Sequence, residues 1–177
     1  MNSGFLPATS LFLGGARSGK SRFAEERVHA TGLKPYYLAT GRAMDDEMSE
    51  RIEQHRQRRG KDWETVEEPL ALADAILQTA LPGRVVLVDC LTLWVTNLML
   101  AGADVGRECE SLLDALPEVD APIVFVSNEV GLGIVPDNRM ARDFRDAAGL
   151  VNQAVARHCD EVWFIASGLP LQLKPQR

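Results

Sequence analysis

The chain has 177 residues, of which 46% are hydrophobic and 25% charged, and its formal net charge is −6. That size suits one domain with a substantial core. The acidic balance excludes a surface that coats nucleic acid, so any basic site must be local. The longest apolar stretch, Leu91–Ala101, is broken by Thr92, Thr96 and Asn97 and is too short to span a bilayer. Met1–Ser10 has neither the basic start nor the apolar run of a signal peptide. A soluble, cytoplasmic protein is expected, with Cys90, Cys109 and Cys159 as buried free thiols, because their number is odd and their spacing suits no metal.

Met1–Thr9 reads as a loose extension before a single domain over 10–177. A strand at Ser10–Gly14 then runs into Gly14, Gly15, Ala16, Arg17, Ser18, Gly19, Lys20 and Ser21, which fit the phosphate-loop pattern G-x-x-x-x-G-K-[ST] at every defined position. The glycines let backbone N–H groups converge on phosphate oxygens, and the helix expected at Lys20–Ala30 adds its positive N-terminus. Lys20 is placed to reach the β/γ-phosphates, and the Ser21 hydroxyl to ligate Mg²⁺. These residues predict binding of a nucleoside triphosphate.

A strand at Tyr36–Thr40 leads to a helix at Asp45–Arg59. Met44, Met48, Ile52 and His55 share one face of it, and Arg51, Arg56, Arg58 and Arg59 surround His55. Neighbouring cations disfavour the imidazolium, which leaves a neutral, nucleophilic ring among phosphate-attracting arginines. A core histidine beside solvated arginines is the other reading. In Trp63–Pro69, Glu68 and Pro69 fit a helix start before Leu70–Thr79, or one of the acids accepts from a guanine edge or ribose.

The apolar strand Val85–Cys90 carries Asp89 near its end, either as an acid that serves Mg²⁺ or as a cap for the helix at Thr92–Ala101. Beyond the helix at Glu108–Leu116, a strand at Ile123–Asn128 opens into a glycine-containing loop. The helix at Asn138–His158 presents Arg139, Arg142 and Arg145, either as phosphate or subunit contacts or as a solvated face paired with Asp143 and Asp146. A last strand is expected at Val162–Ser167. His29 and His158 sit late in helices, where the dipole accounts for them. The alternation of strands and helices predicts a three-layer α/β, P-loop NTPase-like fold with a mainly parallel central sheet. Ligands are then expected where apolar strands end in polar residues: after Gly14, at Thr40-Gly41-Arg42, at Asp89 and at Ser127-Asn128-Glu129.

GGARSGKS at Gly14–Ser21, Tyr37-Leu38-Ala39-Thr40, Asp45-Asp46-Glu47-Met48, His55, Thr96-Asn97-Leu98, Asn128-Glu129-Val130-Gly131, Gly133-Ile134-Val135-Pro136 and Ser167-Gly168 occur in this order. With them the chain, from about Leu11 to Gly168, closely resembles the bifunctional adenosylcobinamide kinase/adenosylcobinamide-phosphate guanylyltransferases of cobalamin biosynthesis. The resemblance implies phosphorylation of adenosylcobinamide with ATP or GTP. It also implies transfer of GMP from GTP to adenosylcobinamide phosphate through a GMP-histidine intermediate, whose position matches His55. It implies that Gly14–Ser21, Ala39, Thr40, Gly41, Arg56, Gln57, Arg58, Arg59, Glu67 and Asp89 contact nucleotide, that Mg²⁺ takes part, and that the protein is a homotrimer. Some members carry Glu at the position of Asp89, and some carry His where this chain has Gln54. The competing expectations are a P-loop kinase of another small alcohol, a guanylyltransferase-only member, and a GTP-switched binding module.

Overall fold

The computed structural model describes residues 8–41, 60 and 62–175. Its elements in chain order are β1 (Thr9–Gly14), α1 (Lys20–His29), β2 (Lys34–Ala39), β3 (Glu64–Glu67), α2 (Leu72–Thr79), β4 (Arg84–Asp89), α3 (Leu91–Leu100), α4 (Val105–Ala115), β5 (Ile123–Asn128), α5 (Arg139–His158), β6 (Glu161–Ala166) and β7 (Leu169–Lys174). The helix expected at Asp45–Arg59 lies outside the described residues, and with it His55, Arg56, Gln57, Arg58 and Arg59.

The strands form one sheet in the order β3-β2-β4-β5-β1-β6-β7. All neighbouring pairs are parallel except β6 and β7. Strict period-two alternation explains why the central strands read as unbroken apolar runs. Leu11, Val86, Val88, Ile123 and Phe125 face one core, which α2, α3, α4 and α5 cover. Phe12, Val85, Leu87, Val124 and Val126 face the other, which includes Ala24 and Val28 of α1.

Two strands lie where none was expected. β3 is short, acidic and mostly exposed, and its register with β2 (Tyr36↔Glu64 to Ala39↔Glu67) gives it the pairing that its own side chains do not announce. β7 does alternate, with Leu169, Leu171 and Leu173, and its Pro170 is tolerated because β7 is an edge strand. Thr9, expected in the loose extension, belongs to β1: its N–H and Oγ1 both donate to Asp160 Oδ2, at 3.0 and 3.2 Å.

α1 packs on β1, β4 and β5, which aims its N-terminus at the carboxyl ends of those strands. Its far end is held by Arg27, whose Nη2 donates to the buried Glu161 Oε1 at 3.1 Å, while Ser10 Oγ donates to the same oxygen at 3.1 Å. A carboxylate only 2% exposed needs both partners.

Candidate active site

The loop between β1 and α1 has the backbone that its glycines predict. Gly19 has φ 97°, a left-handed conformation that glycine adopts without a Cβ clash, and Arg17 has φ 55°. Gly14 is required for a different reason: a Cβ there would lie 2.4 Å from the Ile165 carbonyl oxygen and 2.5 Å from Ser18 Oγ. Lys20 is buried at the first position of α1, and its Nζ donates to Gly15 O at 3.0 Å across the loop. Ser21 follows half-buried, Ala16 and Arg17 are exposed, and Ser18 Oγ is buried without a hydrogen-bond partner among the described residues.

The loop is also braced from outside. Gly168 N–H, in the β6–β7 turn, donates to Ser18 O at 2.8 Å, and Glu129 N–H donates to Gly14 O at 3.1 Å. Neither bracing residue was expected from spacing as a loop contact. The turn signal was present in Ser167-Gly168, whose φ values are 53° and 77°, as a two-residue hairpin requires.

Asp89 ends β4, half-buried, and Oδ2 accepts from Tyr37 OH at 3.1 Å. It does not cap α3: the N-cap residue is Cys90, whose thiol caps no backbone N–H and instead meets Thr92 Oγ1 at 3.0 Å. Burial pushes the Cys90 thiol up to about 11; Asp89 adds to the shift, and the Lys20 ammonium opposes it.

Ala39 lies opposite Glu67 in the β2–β3 register, which brings two expected nucleotide residues together at neighbouring strand ends. Gly41 follows, half-buried. Thr40 is fully engaged within the protein. Its N–H donates to Asp89 O, its Oγ1 donates to Cys90 O and accepts from Cys90 N–H, and its carbonyl accepts from Asn97 Nδ2 at 2.7 Å. The same Asn97 amide donates to Pro69 O at 3.1 Å. Glu68 is a helix-start residue, its Oε1 accepting from the N–H groups of Leu70 and Ala71.

The arginines of α5 are spent locally: Arg139 pairs with Asp143, Arg145 with Asp146, and Arg142 donates to the carbonyls of Pro136 and Asp137. His158 Nδ1 lies 2.9 Å from Ala154 O, whereas His29 Nε2 accepts from Trp63 Nε1 at 3.2 Å, a contact that its helix position did not announce. The three cysteines are free and buried, as expected. A groove of ≈ 590 Å³ lined by Leu13, Asn152, Val162 and Leu173 opens on the face of α5, away from α1.

Ser21 and Asp89 supply a hydroxyl and a carboxylate, both hard oxygen donors. Among the described residues no group of three or more His, Cys, Asp or Glu converges. This donor set fits a Mg²⁺ that brings most of its ligands as phosphate and water oxygens.

A sequence family whose model is described as cobinamide kinase / cobinamide phosphate guanyltransferase matches residues 10–173. The chain belongs to this family. It is 50% identical over 166 residues to the bifunctional adenosylcobalamin biosynthesis protein CobP of Pseudomonas aeruginosa, covering 93% of this chain and 96% of that one. It is 43% identical over 179 residues to the bifunctional adenosylcobalamin biosynthesis protein CobU of Escherichia coli, covering 93% and 98%. Solved structures extend the fold beyond the cobinamide family. The type III secretion ATPase EscN of enteropathogenic Escherichia coli superposes with TM-score 0.59 at 10% identity, covering 91% of this chain and 43% of that one. The flagellar accessory protein FlaH of Methanocaldococcus jannaschii superposes with TM-score 0.54 at 10% identity, covering 97% and 80%. The expected P-loop NTPase fold is the observed one. No helix among the described residues of this family member is long and apolar enough to cross a membrane.

Proposed function

We propose that this chain phosphorylates adenosylcobinamide with ATP or GTP and then transfers GMP from GTP to the adenosylcobinamide phosphate. The observation that carries the reading is the complete phosphate loop leading into α1, with Lys20 at the start of that helix and Asp89 at the end of β4, on which α1 packs, in a chain of the cobinamide kinase family.

In the kinase step, the loop N–H groups and Lys20 hold the β/γ-phosphates. The aminopropanol hydroxyl of adenosylcobinamide attacks the γ-phosphorus and the nucleoside diphosphate leaves. In the transferase step, the His55 imidazole attacks the α-phosphorus of GTP and pyrophosphate leaves. The phosphate of adenosylcobinamide phosphate then displaces histidine from the GMP adduct, giving adenosyl-GDP-cobinamide. Mg²⁺, held by Ser21 and Asp89, would offset the triphosphate charge. Ala39, Gly41 and Glu67, at the ends of β2 and β3, would contact the nucleotide, as would Arg56, Gln57, Arg58 and Arg59 by the family resemblance, and Thr40 is held there by its bonds to Cys90 and Asn97. The family resemblance further supports a cytoplasmic homotrimer. Leu169, Leu171 and Leu173 on edge strand β7, all more than half exposed, offer apolar surface of the kind that subunit contacts cover.

Incubating the protein with adenosylcobinamide, ATP, GTP and Mg²⁺, with chromatography of the corrinoids, tests the reading. Conversion to the phosphate with ATP alone, and to the GDP derivative once GTP is added, is the expected result. Conversion of supplied phosphate without any kinase step would leave a guanylyltransferase only. GTP binding with no corrinoid turnover would contradict the reading.

A further inference from the structure

We propose that Tyr37 is the positioning residue for Asp89: its phenol fixes the carboxylate at the end of β4 in the orientation that serves the Mg²⁺-bound triphosphate. The inference rests on the reading of Asp89 as the acid that serves the metal.

The geometry comes from register. Tyr37 lies opposite Leu87, and Asp89 lies opposite Ala39, two residues further along the parallel pair. Val85 and Leu87 face the α1 side with Tyr37, and period two puts Asp89 on that side as well. The Tyr37 side chain therefore runs up the sheet toward the carboxyl ends, and its hydroxyl donates to Asp89 Oδ2 at 3.1 Å. Oδ1 takes no hydrogen bond from the described residues, so the phenol engages one oxygen and leaves the other for the nucleotide side.

The ring is itself held. Tyr37 is 7% exposed, and Trp63 meets it edge to face with centroids 6.3 Å apart. Trp63 in turn donates to His29 Nε2 and stacks edge-on against that ring at 5.3 Å. His29 is the last residue of α1, the helix that begins at Lys20. One continuous run of contacts thus links the far end of the phosphate-loop helix to the acid on β4. A phenol with this much support around its ring has little freedom to let the carboxylate turn, and hydrogen bonds to an ionised acceptor are the stronger class.

A simple structural pair would tie β2 to β4 without affecting metal. Tyr37→Phe separates the two, because it keeps the ring and its contact with Trp63 and removes only the hydroxyl. Calorimetric titration of GTP is run on the folded full chain in Mg²⁺ and again in EDTA. The affinity of Tyr37→Phe in Mg²⁺ should fall about fivefold to tenfold, while the affinity in EDTA stays at the wild-type value. The melting temperature without nucleotide should shift by less than about 5 °C. In an Asp89→Asn background, adding Tyr37→Phe should change nothing further, since the phenol acts only through that carboxylate.

Wild-type affinity of Tyr37→Phe in Mg²⁺ would overturn the proposal. So would an equal loss in Mg²⁺ and in EDTA, or a loss that adds to that of Asp89→Asn, each of which assigns a structural role. If Asp89→Asn alone keeps the full Mg²⁺ effect, the reading of Asp89 fails and the positioning role falls with it. That single variant tells the two failures apart.

Discussion

Lys20 and Asp89 are 69 positions apart, yet the fold brings them to the same end of the sheet, because the parallel strands β1 and β4 both finish there and α1 packs across them. Lys20→Ala should lower turnover in both half-reactions by about 100-fold or more, as read from initial rates, because its buried ammonium reaches across the loop, whereas Arg17, the loop's other cation, is exposed. Asn97 matters for stability. Its buried amide satisfies the carbonyls of Thr40 and Pro69, so Asn97→Ala leaves two acceptors unpaired and should cost about 2–3 kcal/mol in urea denaturation. Lys20, Ser21 and Asp89 were legible because each sits at a fixed offset in a motif or at the polar end of an apolar run. Tyr37 and Asn97 entered only through the family resemblance, and their partners were not legible, because strand register and helix docking create them and neither is encoded within a local window.

At the level of elements, the phosphate loop is only as well placed as the hairpin beside it. Gly168 occupies φ 77° and its N–H braces Ser18 O, so Gly168→Val should strain the turn and weaken GTP binding several-fold. Gly14→Ala should be more damaging, because the new methyl meets a backbone oxygen of β6. A loss of about 1–3 kcal/mol in stability, together with loss of nucleotide binding, is expected by calorimetry. The described helices and the central strands were readable from apolar runs bounded by polar residues. β3 was hidden because an acidic edge strand borrows its structure from β2, whereas the alternation of Leu169, Leu171 and Leu173 was a signal in plain sight beyond the last expected element.

Across the whole molecule, both faces of the sheet are buried and the cysteines lie within the two cores. Burial raises Cys90 to about 11 and Cys159 to about 12, against an unfolded value of 9.0, so folding favours the neutral thiols. Their contribution is fully present below pH 9.0 and is lost as pH rises through the folded values. The melting temperature should therefore decline between pH 9 and 11, and Cys159→Ala should flatten part of that decline.

The proposed function gives one chain both phosphoryl and guanylyl transfer, the second through a covalent histidine. The direct measurement is to incubate the protein with Mg²⁺ and GTP labelled at the α-phosphate, without corrinoid, and to look for acid-labile, alkali-stable label on the protein, with His55→Asn alongside. Label on the wild-type chain that is absent from folded His55→Asn and discharged by adenosylcobinamide phosphate is the predicted result. A folded wild-type chain that binds GTP and takes up no label would contradict the covalent route and leave a kinase or a GTP switch in its place.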